Sequence, residues 1–194
     1  LYHAAQSMPH STSGYSIRTH GLVTAIRKSG WDAVVHLRHG YPLDRSDFKG
    51  GEVLATEEIE GTPYQFHPNT SSNLGLINYS EVFNFSRLEE YQGTAVRTLM
   101  RQASESKPQI LHSASNFVVG LAGAEAAKRL GIPSVYEIRG FWHLTQATKR
   151  KGYASSDHYS LSERLEIEAA RKSDHVFTIT NALRDILIEE GIES

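Results

Sequence analysis

Gln109-Ile110-Leu111-His112-Ser113-Ala114-Ser115-Asn116, a run of mostly small residues from Phe117 to Leu130, and then Gly131-Ile132-Pro133-Ser134-Val135-Tyr136-Glu137-Ile138 decide the fold. Gln109–Ser113 is a short apolar run that reads as a strand. From Asn116 to Leu130, apolar Val119, Ala122, Ala126 and Leu130 recur at helical spacing, and Gly131 supplies a C-terminal stop. Pro133–Ile138 is a second apolar run of strand length. Strand, helix and strand in this order form a βαβ unit, which implies a parallel sheet.

The same rhythm extends in both directions. Downstream, the spacing predicts a loop over Gly140–Asp157, a helix over Leu161–Ser173 with Arg164/Glu168 and Glu168/Lys172 as i,i+4 pairs, a strand over His175–Thr180 and a helix over Asn181–Glu190. Upstream, Leu1–Gln6 reads as a first strand. A helix follows to about Ser29, with Leu22, Ala25 and Ile26 on its apolar face and Gly30 as its stop, and then a second strand over Asp32–Arg38. From 39 to 86 the rhythm breaks. Glu52–Ile59 and Tyr64–Phe66 read as a small inserted hairpin around Glu60-Gly61-Thr62-Pro63, and 67–80 reads as a long loop. Ser86–Lys107 is again helical, with Leu88, Tyr91, Ala95, Leu99 and Ala103 on one face and Ser86 and Glu89 as a capping box. The expected fold is α/β: a doubly wound, mostly parallel Rossmann-like sheet with helices on both faces. Residues 1–194 are expected to form one such domain, with the hairpin and loop as an insertion at about 39–86.

Composition narrows the function classes. The 194 residues are 39% hydrophobic and 22% charged, with a net charge of -2, which gives no reason to expect a nucleic-acid binder. Cysteine is absent, which excludes disulfide scaffolds, thiolate zinc sites and cysteine nucleophiles. No stretch approaches the roughly 20 apolar residues that cross a bilayer. Asn-x-Ser/Thr patterns at Asn69, Asn78 and Asn84 fall in a polar loop and read as chance matches in a cytosolic protein.

In open parallel sheets, ligands bind beyond the carboxyl ends of the strands. The first such loop, Ser11-Thr12-Ser13-Gly14-Tyr15, is small and hydroxyl-rich and opens a helix, whose free N–H groups suit a phosphate. Helix capping by Ser11 or Ser13 explains the same residues more simply. The loop has one glycine where a dinucleotide fingerprint needs three, and no Gly-Lys-Ser/Thr occurs anywhere. Beyond the later strands lie His112-Ser113-Ala114-Ser115-Asn116 and Glu137-Ile138-Arg139-Gly140-Phe141-Trp142-His143. The second run suits a polar ligand with a stacking face; equally, Glu137 and Arg139 can form an ion pair and Trp142 can fill core. His36 and His39 lie on opposite faces of a strand, which is wrong for one metal ion. No Asp-x-Asp or Gly-x-Ser-x-Gly motif occurs. Lys149-Arg150-Lys151 reads as a solvated patch with room for an anionic membrane surface.

Six motifs taken in order resemble the N-terminal domain of a family 4 (group 1) glycosyltransferase of the GT-B fold. They are Ser13-Gly14-Tyr15 with Arg18-Thr19-His20-Gly21-Leu22; Gly40-Tyr41-Pro42-Leu43-Asp44; Leu111–Ser115; Tyr136–Trp142; Glu168-Ala169-Ala170; and Asp174–Thr180. The resemblance implies a retaining, hexosyltransferase-type enzyme that moves a sugar from a nucleotide-sugar donor to an acceptor hydroxyl, without a metal or other cofactor. It implies Ser13, Gly14 and Tyr15 at the donor diphosphate, Arg139 and His143 as catalytic candidates, and Arg18, His112 and Trp142 on the acceptor side. The acceptor would be a glycan, a lipid or a small molecule. The expected location is cytoplasmic, including the inner face of a membrane. Two departures stand out: Ser13-Gly14 replaces the Gly-Gly pair of many relatives, and Arg139 stands where many carry a histidine. Leu1 opens the chain without Met, as though part of the first strand were missing. The resemblance further implies a C-terminal donor-binding domain beyond Ser194, so the chain alone would be inert. A non-catalytic α/β ligand-binding module and a sugar-nucleotide epimerase of the same two-domain fold are the alternatives.

Overall fold

The computed structural model describes residues 1–45, 47–68 and 85–193. Asn69, Asn78, Asn84 and most of the expected long loop lie outside the described residues. Two compact units divide the chain, Leu1–Pro108 and Gln109–Ser194.

The first unit contains β1 (Tyr2–Ala4), α1 (Gly14–Lys28), β2 (Val35–Leu37), β3 (Thr56–Ile59), β4 (Thr62–Gln65) and α2 (Phe85–Ser106). Its strands run in the order β3-β4-β2-β1. β2 is parallel to both β1 and β4, and only β3 runs antiparallel, against β4. The expected hairpin therefore exists but is not a separate insertion, because its second arm is a full member of the parallel sheet. The reason lies in β4, where Thr62 and Tyr64 are buried and Phe66 follows at the same period. Pro63 falls before the β2 ladder begins at Tyr64, so its missing N–H costs that ladder nothing. The turn is only Glu60-Gly61. Both residues have positive φ, 49° and 76°, as a two-residue hairpin requires, and Thr62 and Pro63 already belong to the strand.

α1 departs from its expected face. Ser16, Thr19, His20 and Val23 are buried while Ala25 is exposed. Polar contacts dictate this orientation. Thr24 Oγ1 lies 2.9 Å from Thr62 Oγ1, and His20 reaches the Tyr64 hydroxyl at 2.9 Å and the Glu60 carboxylate at 3.2 Å. α2 buries Leu88, Tyr91, Ala95, Leu99 and Ala103 as its spacing predicts. It starts at Phe85, which puts Ser86 inside the first turn rather than at the cap.

The second unit contains β5 (Leu111–Ala114), α3 (Phe117–Leu130), β6 (Ser134–Ile138), α4 (Trp142–Lys149), a 3-10 turn at Tyr153–Ser155, α5 (Asp157–Lys172), β7 (His175–Thr178) and α6 (Asn181–Glu189). β5, β6 and β7 are parallel neighbours in that order. α3 ends at Gly131 in the left-handed conformation, φ 66°. The expected loop over Gly140–Asp157 instead holds α4 and the 3-10 turn. α5 starts a turn earlier than its apolar pattern, because Ser156 caps it by accepting from the Tyr159 N–H at 3.2 Å. Of the two i,i+4 pairs expected on α5, Glu168–Lys172 forms, at 2.8 Å. Across both units the architecture is α/β, Rossmann-like and mostly parallel.

Candidate functional site

Each unit gathers polar side chains at the carboxyl ends of its parallel strands. In the first, β1 runs into a turn that ends at Ser13. Ser13 Oγ accepts from the Ser16 N–H at 3.3 Å, so the capping role is real. The Gln6 amide also donates to Ser13 Oγ, at 2.9 Å, and Arg45 Nη1 donates to Gln6 Oε1 at 2.7 Å. The first turn of α1 carries no acidic residue that would neutralise the positive end of its dipole. Gly14, the first helical residue, has nothing within 4 Å of where a Cβ would stand. Tyr15 and Arg18 are exposed on the same first turns.

A second loop braces this turn. Tyr41 donates its hydroxyl to the Ser7 carbonyl at 2.7 Å and accepts from the Ser7 N–H at 3.2 Å. Asp44 forms a two-point pair with buried Arg38, Oδ1 accepting from Nη2 at 2.8 Å. The Gly40–Asp44 motif thus works as a brace. Gln6 and Arg45, which sequence reading passed over, are what reach the turn. Their partners lie 7 and 39 residues away, and no local pattern signals such pairs.

In the second unit, Glu137 is the penultimate residue of β6, with its carboxylate buried. Arg139 Nη2 donates to Glu137 Oε2 at 2.9 Å, and His112 Nε2 lies 3.4 Å from the same oxygen. Ser115 ties the two strand ends together: its Oγ accepts from the Arg139 N–H at 2.8 Å and donates to the Glu137 carbonyl at 3.2 Å. His112 and Arg139 are therefore brought together through Glu137, in the ion pair that was one of the two sequence readings.

Trp142 and His143 turn elsewhere. Trp142 meets Tyr153 and His158 edge-on, with ring centroids 6.2 and 5.9 Å apart. His143 is buried, stacked on Phe141 at 5.4 Å and edge-on to Tyr159 at 4.9 Å. Burial lowers its pKa to about 4, so it is neutral near pH 7 and its 3.8 Å approach to Glu163 is not an ion pair there. Lys149, Arg150 and Lys151 are all exposed, with the Arg150 guanidinium over the Tyr153 ring at 5.1 Å. Among the described residues there is no cluster of three or more His, Asp or Glu side chains that could hold a metal ion, and no helix is long and apolar enough to cross a membrane.

The family model of the glycosyl transferase 4-like domain matches residues 13–194. The chain belongs to this family. Solved structures agree on the fold. UDP-GlcNAc 2-epimerase from Methanocaldococcus jannaschii aligns with 100% of the chain at a TM-score of 0.57 and 15% identity, over 43% of its own length. MnaA of S. aureus, solved with UDP, aligns with 100% of the chain at 0.54 and 15% identity, over 41% of its length. The glycosyl transferase 4-like chain thus spans less than half of these structures. No curated protein matches its sequence.

Proposed function

We propose that this glycosyl transferase 4-like domain is the acceptor-side half of a retaining, hexosyltransferase-type enzyme that moves a sugar from a nucleotide-sugar donor to an acceptor hydroxyl. Family membership over 13–194 is the observation that carries the reading. The turn before α1 supports it physically. Helix N–H groups and an unneutralised dipole face the side on which ligands bind in such sheets, and they suit the negative charge that grows on a departing diphosphate. Ser13, Gly14 and Tyr15 hold that diphosphate in this reading, and no metal or cofactor is needed. Arg18, His112 and Trp142 belong to the acceptor side, and Arg139, oriented by Glu137, is the catalytic candidate rather than His143. A second Rossmann-like domain completes the donor site, so residues 1–194 alone transfer no sugar. The reaction is placed in the cytoplasm, where the exposed Lys149-Arg150-Lys151 run can rest on an anionic membrane.

An epimerase acting on the nucleotide sugar without an acceptor is the second reading, favoured by the names of the structures that share the fold. Incubating the full-length protein with a nucleotide sugar, with and without acceptor, separates the two, because epimerisation proceeds without acceptor and transfer does not. Gly14→Val locates the donor. The space around Gly14 is open, so the substitution should leave the thermal midpoint unchanged. It should raise the donor KM about tenfold by crowding the diphosphate, a loss of about 1.4 kcal/mol. Unchanged kinetics would remove the diphosphate from this turn.

A further inference from the structure

Beyond the carboxyl ends of β2 and β4, and against one stripe of α2, the first unit holds a cavity of about 710 Å³ lined among others by His39, Phe66, His67, Thr94, Arg97 and Arg101. This volume is in the range of small-molecule sites and far exceeds a single inorganic anion. The floor comes from the two strand ends, which are held together where the Gly40 N–H donates to the His67 carbonyl at 2.9 Å. The wall comes from α2, where Thr94, Arg97, Thr98 and Arg101 recur at helical spacing beside the buried stripe of Tyr91, Ala95 and Leu99.

Two independent features of this cavity want a ligand. Arg97 and Arg101 stand four residues apart on one helix, a spacing at which like charges repel. Among the described residues no carboxylate pairs with either, and Arg97 donates only to Thr94 Oγ1, at 2.9 Å. The second feature is His39, which is 8% exposed, yet neither of its ring nitrogens finds a hydrogen-bond partner among the described residues; Nε2 of His67 is likewise unmatched among them. Leaving a buried polar atom unmatched is costly, so unmatched atoms on two residues lining one cavity call for an explanation. Burial and the neighbouring guanidinium charges keep both imidazoles below their ordinary range, His67 at about 4, although Asp44 pulls His39 the other way. The positive charge in the cavity therefore sits on Arg97 and Arg101, with the imidazoles as neutral hydrogen-bonding groups.

We propose that this cavity is a binding site for a small molecule carrying an oxyanion, a phosphate or a carboxylate, held by Arg97 and Arg101 with His39 and His67 beneath it. Its lining shares no residue with the turn at Ser13-Gly14. Guanidinium groups match both oxyanions in two-point geometry, and Phe66 offers an apolar surface to the body of the ligand. That the ligand is the sugar acceptor rests on the transferase reading, whereas the binding does not.

Calorimetric titration of the purified protein with glucose 6-phosphate, glucuronate and glucose tests the site. Saturable binding of glucose 6-phosphate, of glucuronate or of both is the expected result, with none for glucose; which anion binds identifies the source of the charge. Arg97→Gln with Arg101→Gln should weaken binding at least tenfold at an unchanged thermal midpoint, because both side chains are exposed. His39→Gln should weaken it several-fold. Equal binding of glucose, no binding of either anion at millimolar concentration, or full binding by the arginine double variant would overturn the site. A full-length protein that binds the anion but transfers no sugar from any nucleotide sugar would instead overturn the transferase reading and leave the site standing.

Discussion

Glu166 is buried in the second unit with a hydrogen bond on each carboxylate oxygen. Oε2 accepts from the Phe117 N–H at 2.9 Å, at the start of α3, and Oε1 accepts from the Tyr136 hydroxyl. Burial nevertheless dominates and raises its pKa to about 7. A raised carboxyl pKa means that the folded state keeps a proton the unfolded chain has released. Its contribution to stability is therefore complete below about pH 4 and lost as pH climbs through about 7. Glu166→Gln should match the wild type at low pH and gain on it steadily towards neutrality; thermal midpoints of the two proteins across this range check it, and parallel curves would count against a buried acid. Nothing local in the sequence marks Glu166, since its partners lie 49 and 30 residues away. Glu137 and Arg139 were legible because they sit two apart at a strand end, where ion pairing and ligand binding leave the same signature. The side-chain geometry supplies the pair, and His112 with it, whereas the aromatic shell that buries His143 has no counterpart in linear spacing.

At the scale of elements, α3 approaches its sheet so closely that two of its glycines have no room for a methyl group. A Cβ on Gly123 would stand 1.9 Å from Ser113 Oγ on β5, and one on Gly120 would stand 2.6 Å from the Tyr136 ring on β6. Gly123→Ala should therefore destabilise the fold by at least the roughly 1–3 kcal/mol of an overpacked core, despite the better helix propensity of alanine. A denaturant titration measures it, and an unchanged or higher midpoint would mean the helix can shift outward at no cost. The small-residue run that decided the fold from the sequence is thus the run that lets helix and strands touch. Periodicity revealed the faces of α2 and α3 because those faces are apolar. It misjudged α1, whose buried face is Ser16, Thr19 and His20, because hydrogen bonds to Thr62, Tyr64 and Glu60 orient that helix. The hairpin was visible, but its place in the sheet was not, since pairing of β4 with β2 is a long-range choice. α4 was missed because its eight residues bury only His143 and offer almost no apolar period.

For the whole molecule, histidine chemistry sets the response to acid. The chain has ten histidines, and burial holds three of them, in both units, far below their ordinary range: His36 at about 3, with His67 and His3 adding to the effect, and His67 and His143 at about 4. In the unfolded chain each takes a proton near pH 6.5. A depressed pKa leaves its stability in place above that value and removes it as pH falls towards the folded one. Between about pH 6 and 5 the unfolded chain thus holds up to three protons that the folded chain refuses, and Glu166 offsets one of them. The net two protons correspond to a slope of roughly 3 kcal/mol per pH unit at its steepest, against a total stability of about 5–15 kcal/mol for an ordinary domain. The thermal midpoint should accordingly drop steeply from about pH 6 downward, before surface carboxylates titrate near 4. His143→Phe, placed between Phe141 and Tyr159 where a ring of similar size is already packed, should make the slope shallower by one proton. A midpoint that stays level from neutrality to about pH 5 would mean that these imidazoles reach water in the folded protein, and the stacked, buried geometry of His36 on His67 at 5.9 Å argues for the steep profile instead.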